Sequence, residues 1–270
     1  MNTIVIIIIS IFLICLLYFI GIFMSKDHLI YIQNIKYFIR RTWEKTSGNV
    51  SNFINKNMLD KPINKKNKIA IVTFENRHNI DYINMHNKNI SSYCDIWNYD
   101  YIFYDQCDKN IYWCKIYYVL NALKQNKYDY VLWLDSDTII KNNNISIDMI
   151  VNKYTSDIFM GTDSTTGFCA GVFIIKNSDT GISFLEDCIS NLMPICITED
   201  NKLKGDWAGM CYEQGVMNML IFEKYANYTT CLPEYIIYNG DSNTCNADTF
   251  IYHMFASKEK ERNSCFQRFV

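Results

Sequence analysis

The chain has 270 residues, which is enough for one medium-sized domain with accessory segments. Its formal net charge is −2, so composition gives no reason to expect a nucleic-acid partner. The eleven cysteines do not fix the redox compartment, because they could pair in an oxidising lumen or remain thiols in a cytosol.

An uncharged apolar run, from Thr3 to Met24, opens the chain. About twenty such residues span a bilayer as a helix. The run is too long for the apolar core of a cleaved signal peptide, and it lacks a basic start and a small-residue cleavage site. We therefore predict a transmembrane anchor over residues 1–25.

Two arguments favour opposite orientations of this anchor. Four basic residues lie on its C-terminal side and favour a cytosolic location for the rest of the chain: Lys26, Lys36, Arg40 and Arg41. A secretory-pathway enzyme needs the opposite orientation. We expect a type II membrane protein with its main domain in the ER or Golgi lumen, and the cytosol-facing topology is the alternative.

Residues 26–67 are predicted to form a stem. Apolar residues near helical spacing, among them Ile32, Ile39 and Trp43, alternate with basic ones. This pattern is typical of an amphipathic helix that lies on a membrane or packs on the domain, and both remain open. The polar segment after this helix contains Pro62 and resembles a linker.

From residue 68 to residue 270 the pattern is that of an α/β domain. The first expected strands and helices alternate, which indicates a mostly parallel sheet with flanking helices. In chain order they are strand Lys68–Phe74, helix Asp81–Trp97, strand Tyr99–Tyr104, helix Ile111–Gln125 and strand Tyr128–Leu134. Later expected elements are strands Ile158–Gly161, Ala170–Lys176 and Thr249–Phe255, and helices Ile182–Leu192 and Glu213–Tyr225.

Two carboxylates follow the third strand, in the sequence Asp135-Ser136-Asp137. A buried strand does not tolerate unpaired charge, so the pair is expected where the strand leaves the sheet. Ligand crevices of open α/β sheets form at this end of the strands. Two carboxylates there suit Mg²⁺ or Mn²⁺, which commonly bind a substrate diphosphate. The alternative is a solvated turn, in which Asp and Ser are common.

Seven segments along the chain carry a combined pattern. In chain order these segments are Ile69–Thr73, Asn87-Lys88 with Tyr93-Cys94 and Tyr99-Asp100-Tyr101, Trp113-Cys114-Lys115, Asp135-Ser136-Asp137, Gly167–Asn177, Glu213-Gln214, and His253 followed five residues later by Lys258. Taken together they resemble glycosyltransferase family 34, whose members transfer galactose, mannose or xylose and have the Rossmann-like, nucleotide-sugar-binding GT-A fold. The resemblance covers about residues 68–258. It implies a nucleotide-diphosphate-sugar donor, a UDP- or GDP-sugar, and a glycan or glycoprotein acceptor.

The resemblance also implies roles for individual residues. Asp135, Asp137 and His253 would hold a divalent cation, and an imidazole ligand favours Mn²⁺ over Mg²⁺. The remaining donor-site residues implied are Thr73, Lys115, Ser136, Ala170, Gly171 and Lys258. Lys115 and Lys258 have alternative interpretations as an exposed helical lysine and as part of a solvated charged run.

Glu213 and Gln214 are the implied catalytic residues. Members of the family retain the anomeric configuration, and either side chain would stabilise an oxocarbenium-like transition state. A carboxylate is also common in a helix's first turn, where it complements the helix dipole.

Departures from the family pattern occur at two positions. Cys169 stands where the pattern has Asn, and Tyr212 stands where it tends to have a second acid. Asp163 could bind a sugar hydroxyl or form a turn. The alternatives therefore include a degenerate domain that binds nucleotide or glycan without turnover, a structural membrane protein, and a related GT-A family of the glycogenin-like or α-1,6-mannosyltransferase-like kind. Oligomeric state, including a homo-oligomer, is left open.

Overall fold

The computed structural model describes residues 66–77, 80–163, 167–240, 245 and 247–270. The predicted anchor over residues 1–25 and the stem up to residue 65 lie outside the described residues. Within the described ranges, no helix combines the length and the apolar character needed to cross a bilayer.

Nine strands and six α-helices are described in these ranges. The strands are β1 Ile69–Phe74, β2 Asp100–Tyr104, β3 Tyr130–Leu134, β4 Thr138–Ile140, β5 Ile158–Asp163, β6 Gly167–Lys176, β7 Thr229–Leu232, β8 Ile237–Asn239 and β9 Ile251–His253. The helices are α1 Ile83–Trp97, α2 Cys114–Lys124, α3 Ile147–Lys153, α4 Asp179–Ser190, α5 Glu213–Leu220 and α6 Glu259–Phe266.

The central sheet has six strands in the order β2-β1-β3-β6-β5-β7. Its pairings β1–β2, β1–β3 and β5–β7 are parallel, and β6 is antiparallel to both β3 and β5. A second sheet of three strands has the order β4-β9-β8. The predicted α/β fold with a mostly parallel central sheet is confirmed. The antiparallel direction of strand β6 was not predicted.

Both faces of the central sheet are covered, which explains why its strands are almost continuously apolar. Val72 and Trp133 enter one hydrophobic core, which also contains apolar residues of α2, α4 and α5. Ile71 and Leu132 enter a second core with residues of α1 and α3. Successive side chains of a strand point to opposite faces, so the apolar run of β3 supplies both cores.

The antiparallel direction of β6 matters for the site. Leu134, the last residue of β3, pairs with Val172, and the backbone N–H of Asp135 then donates to the carbonyl of Gly171 over 2.8 Å. The middle of β6 is thereby brought to the edge where β3 ends. The polar residues after β3 consequently lie beside Ala170 and Gly171.

Several elements differ from the sequence-based expectation. The structure adds α3, α6 and the short strands β4, β7 and β8. The final helix was not expected, because residues 258–262 are all charged and show no apolar periodicity. The helix that begins at Glu213 changes to π-helical geometry at Ile221–Tyr225.

Three disulfides cross-link the described part of the chain: Cys107–Cys114, Cys196–Cys211 and Cys245–Cys265. Four other described cysteines are buried thiols: Cys94, Cys169, Cys188 and Cys231. The sequence did not determine these pairings.

Candidate active site

A cavity of about 310 Å³ opens at the edge where β1 and β3 end. It is lined by residues 74–77 after β1, by the start of α2 around Tyr112 and Lys115, and by Trp133 and residues 135–137 at the end of β3. Its size is at the lower end of the range for small-molecule sites. The Asp135-Ser136-Asp137 segment therefore lies where the sequence predicted a ligand crevice.

Asp135, Asp137 and His253 come together beside this cavity. Each offers one ligand atom, and the three atoms lie within 4.8 Å of one another. His253 Nε2 lies 3.2 Å from Asp137 Oδ1 and 3.8 Å from Asp135 Oδ2. His253 reaches this position because β9 pairs with β4, where Thr138 is opposite His253.

The three residues fit a hard divalent cation. Neighbouring ligand atoms that each lie about 2 Å from an octahedral ion are roughly 3 Å apart, close to the spacing seen here. Two carboxylate oxygens and one imidazole nitrogen form a donor set that Mn²⁺ accepts readily. The structure thus brings together all three residues that the sequence assigned to a metal.

His253 is oriented by its other ring nitrogen. Nδ1 lies 2.9 Å from Asn239 Oδ1 and 3.5 Å from Cys169 Sγ. An Nδ1–H that donates to the Asn239 amide oxygen leaves Nε2 facing the two carboxylates. Burial alone would lower the pKa of His253, but Asp137 and Cys169 outweigh it and raise the pKa well above its usual value. The imidazole thus interacts favourably with the carboxylate of Asp137, which lies 3.2 Å from Nε2.

Lys115 joins the metal-side carboxylate to the predicted catalytic carboxylate. Its ammonium lies 2.9 Å from Asp135 Oδ1 and 3.1 Å from Glu213 Oε1, and it donates to the carbonyl of Ala170 over 3.2 Å. Burial acts to lower the pKa of Lys115, but Asp135 and Glu213 reverse this effect and raise it. The lysine is therefore not an exposed helical residue; it is a buried cation with three oxygen-bearing partners.

Glu213 is buried and only partly satisfied. Burial raises its pKa, Lys115 opposes that rise and the neighbouring Asp135 adds to it. Its Oε2 atom is buried and has no hydrogen-bond partner in the described part of the chain. Next to it, Gln214 Oε1 accepts a hydrogen bond of 2.9 Å from the backbone N–H of Ala170. Gln214 is therefore anchored directly to β6, and Glu213 is linked to it through Lys115, which donates to the carbonyl of Ala170.

The other predicted donor-site residues lie in different surroundings. The hydroxyl of Ser136 donates to Glu75 Oε2 over 2.6 Å, at the cavity wall. Thr73 is buried within β1, and its hydroxyl lies 3.3 Å from Nε2 of the buried His86. Lys258 is exposed and caps the N-terminus of α6. The side chain of Asp163 is outside the described ranges.

Three functional candidates were missed by sequence reasoning. Arg262, on the unexpected helix α6, holds Asp137 Oδ2 at 2.6 Å. Glu75 is buried at the cavity wall and pairs with Arg77 at 2.6 Å. Asn239 orients His253. A charged residue directly after the apolar strand β1 was the available signal for Glu75; Asn239 and Arg262 carried none, because only the tertiary fold brings them to the metal residues.

Comparison with known proteins places this fold among glycosyltransferases. No known protein-family profile matches the chain. A segment covering 38% of the chain is 29% identical over 115 residues to galactomannan galactosyltransferase 1 of Cyamopsis tetragonoloba, and the match spans 26% of that relative's length.

Solved structures extend the likeness over most of the chain. A glycosyltransferase involved in the glycosylation of the major capsid of PBCV-1 matches 74% of this chain and 99% of its own, with a TM-score of 0.57 and 15% identity. The glycosyltransferase GlyE of Streptococcus pneumoniae TIGR4 matches 75% and 60% with a TM-score of 0.48 and 16% identity, too low a score to carry an argument. The chain therefore has an α/β fold that resembles glycosyltransferase structures, and its named relative is a galactosyltransferase.

Proposed function

We propose that this chain is a metal-dependent glycosyltransferase similar to family 34. It would move a sugar from a nucleotide-diphosphate sugar, a UDP- or GDP-sugar, to a glycan or glycoprotein acceptor with retention of anomeric configuration. The observation that carries the proposal is the Asp135, Asp137 and His253 cluster at the carboxyl end of β3, beside a cavity of about 310 Å³. The fold and the galactosyltransferase relative support the same reaction class.

The donor-side chemistry follows from the charges at the cavity. A bound Mn²⁺, or Mg²⁺ in its place, would stabilise the charge that develops on the leaving diphosphate. Asp135 and Asp137 supply carboxylates for such an ion, and Arg262 holds the second oxygen of Asp137 so that Oδ1 faces His253. These contacts fix the carboxylates before a donor binds, which reduces the reorganisation needed during reaction.

The sugar-side chemistry falls to Glu213 and Gln214. Lys115 contacts both Glu213 and the metal-side Asp135, so the two carboxylates lie on either side of one ammonium. The free oxygen of Glu213 can face the positive charge that develops on the transferred sugar. Gln214 is held by the backbone of Ala170, which fixes the start of α5 against β6.

The proposed location is the lumen of the ER or Golgi, with the apolar run at residues 3–24 as a type II anchor. Three disulfides in the described domain support an oxidising compartment, since disulfides are rare in the cytosol. Protease treatment of sealed microsomes tests this: the domain should be protected, and digestion without detergent would contradict the lumenal location.

The activity is tested by screening the full chain for Mn²⁺-dependent hydrolysis of UDP- and GDP-sugars and for transfer. We expect Asp135→Asn and Asp137→Asn to reduce hydrolysis by at least about 10²-fold, because each removes a negative charge from the metal site. Asp200→Asn, in an exposed pair with Lys202, is the matched control and should match the wild type. If no donor is hydrolysed, or the site variants keep full activity, the proposal is wrong. Nucleotide binding without turnover would assign a degenerate binding domain instead.

A further inference from the structure

Three aromatic side chains form a cluster next to the cavity, which we call the aromatic platform: Tyr112, Trp207 and Tyr212. Each ring meets the other two edge to face, with centroid distances of 5.1–5.4 Å and interplanar angles of 61–71°. Trp207 is 63% exposed, the most exposed large hydrophobic side chain of the described residues. A role in the hydrophobic core does not explain the presence of a tryptophan at this position, because most of the indole surface faces solvent.

The aromatic platform is continuous with the proposed catalytic machinery. Tyr112 lines the cavity, and Tyr212 directly precedes Glu213 at the start of α5. The indole N–H of Trp113 donates to the carbonyl of Cys211 over 3.0 Å, which joins the start of α2 to this segment. Any group bound on the platform is therefore next to the place where the sugar would be transferred.

The backbone around Trp207 is held in an uncommon conformation. Gly205 and Ala208 have positive φ angles of 83° and 57°, and a left-handed alanine costs roughly 1 kcal/mol or more. The turn is closed by a hydrogen bond of 3.0 Å from the N–H of Gly209 to the carbonyl of Asp206. The Cys196–Cys211 disulfide cross-links the chain at a position four residues after Trp207. A strained and cross-linked turn that presents an exposed indole is typical of a binding site.

We propose that the aromatic platform is the acceptor subsite and that it binds a pyranose ring of a neutral glycan. This inference rests on the proposed function. A pyranose presents faces of C–H groups, which pack against aromatic rings, while its hydroxyl groups at the rim stay hydrated. The platform rings are uncharged, which suits a neutral sugar better than an acidic one. Rings fixed by each other and by the turn lose little conformational entropy on binding.

Calorimetric titration of the full chain in detergent tests the inference. The probes are neutral hexasaccharides: β-1,4-mannohexaose, cellohexaose, xylohexaose and maltohexaose. We expect at least one to bind, Trp207→Ala to weaken its binding by about tenfold or more, and Trp207→Phe to retain most of it. Tyr228→Ala is the matched control, since Tyr228 is an exposed aromatic residue on a different element, and it should bind as the wild type does.

Donor hydrolysis without acceptor separates this proposal from the proposed function. Trp207→Ala should raise the KM for acceptor by about tenfold or more, and its donor hydrolysis should fall by a much smaller factor than its glycan binding. The inference is overturned if no hexasaccharide binds, if Trp207→Ala binds normally, or if its donor hydrolysis falls in step with its glycan binding. If the wild type hydrolyses no donor but binds glycan through Trp207, the platform is a glycan site and the proposed activity is rejected.

Discussion

A Cβ atom on Gly171 would lie only 2.1 Å from Cε1 of His253, so the imidazole rests directly on the backbone of β6. The carbonyl of the same glycine accepts the backbone N–H of Asp135 over 2.8 Å. One residue without a side chain therefore holds the backbone of Asp135 and leaves room for the imidazole of the proposed metal site. The φ angle of Gly171 is not in the left-handed region, so backbone conformation does not require a glycine here. The close approach of the His253 ring does.

Gly171→Ala is expected to displace His253 and weaken Mn²⁺ binding by at least about tenfold. The added methyl group cannot be accommodated unless the ring moves away from the carboxylates. Calorimetric titration with Mn²⁺ measures the effect, and circular dichroism checks that the variant folds.

A double-mutant cycle identifies the route of this effect. If Gly171→Ala acts through the imidazole, adding it to His253→Ala should cost no further Mn²⁺ affinity. An additive loss in the double variant would show that the glycine acts elsewhere.

Asn239→Ala should weaken Mn²⁺ binding by about 10–100-fold, the usual effect of removing the partner that orients a histidine ligand. Of the two described side chains beside Nδ1 of His253, the variant removes the Asn239 amide and leaves the Cys169 thiol, at 3.5 Å. Asn87→Ala is the matched control, because the amide oxygen of Asn87 accepts its hydrogen bond from the hydroxyl of Tyr101 and not from His253. Equal Mn²⁺ affinities for wild type and Asn239→Ala would refute the positioning role.

Local sequence pattern was sufficient for much of the fold. The apolar runs of β1 and β3, and the helical length of the segments that became α1 and α2, predicted their positions to within a few residues. Short strands such as β8 could not be predicted, because three residues carry no period and depend on pairing with β9. Helix α6 was not predicted, because its N-terminal half is charged and only Cys265 and Phe266, in its last turn, are buried.

The candidate site also contains both residues that the sequence identified and residues that only the tertiary structure reveals. Glu213 was assigned by the family resemblance, and Asp135 and Asp137 were found because they directly follow an apolar strand. Arg262 was not, since its contact with Asp137 joins residues 125 positions apart and depends on how α6 packs. Lys258 was chosen by resemblance, but its exposed position at the start of α6 leaves its assignment to the donor diphosphate a prediction.

Lys115→Met should destabilise the fold by about 3–5 kcal/mol, because removing the ammonium leaves the buried carboxylate of Glu213 without a counter-charge. Asp135 also contacts the ammonium but is partly exposed at the cavity, so its contribution to the loss is smaller. Urea denaturation measures the loss. Adding Glu213→Gln to Lys115→Met should recover part of the stability, and a further loss in that double variant would contradict the charge-pairing explanation.

Glu75→Gln tests the ion pair at the cavity wall through its dependence on pH. Burial tends to raise the pKa of Glu75, but hydrogen bonds from Arg77 and Ser136 more than offset this and lower it below its ordinary value of 4.5. A carboxyl group whose pKa is lowered on folding stabilises the fold at pH values above its ordinary, unfolded-state pKa. The contribution disappears as the pH falls through the folded-state pKa.

We therefore expect Glu75→Gln to lower the free energy of unfolding by about 1–2 kcal/mol at pH 7. The loss is small because Arg77 is more than half exposed. Urea denaturation in steps from pH 7 into the acid range should show wild type and variant converging only below about pH 4.5. Glu186→Gln, at the half-exposed pair with Lys124, is the matched control and should change stability by less than about 0.5 kcal/mol. A Glu75→Gln difference that stays constant across this range would show that Glu75 acts by packing, since charge pairing requires convergence in acid.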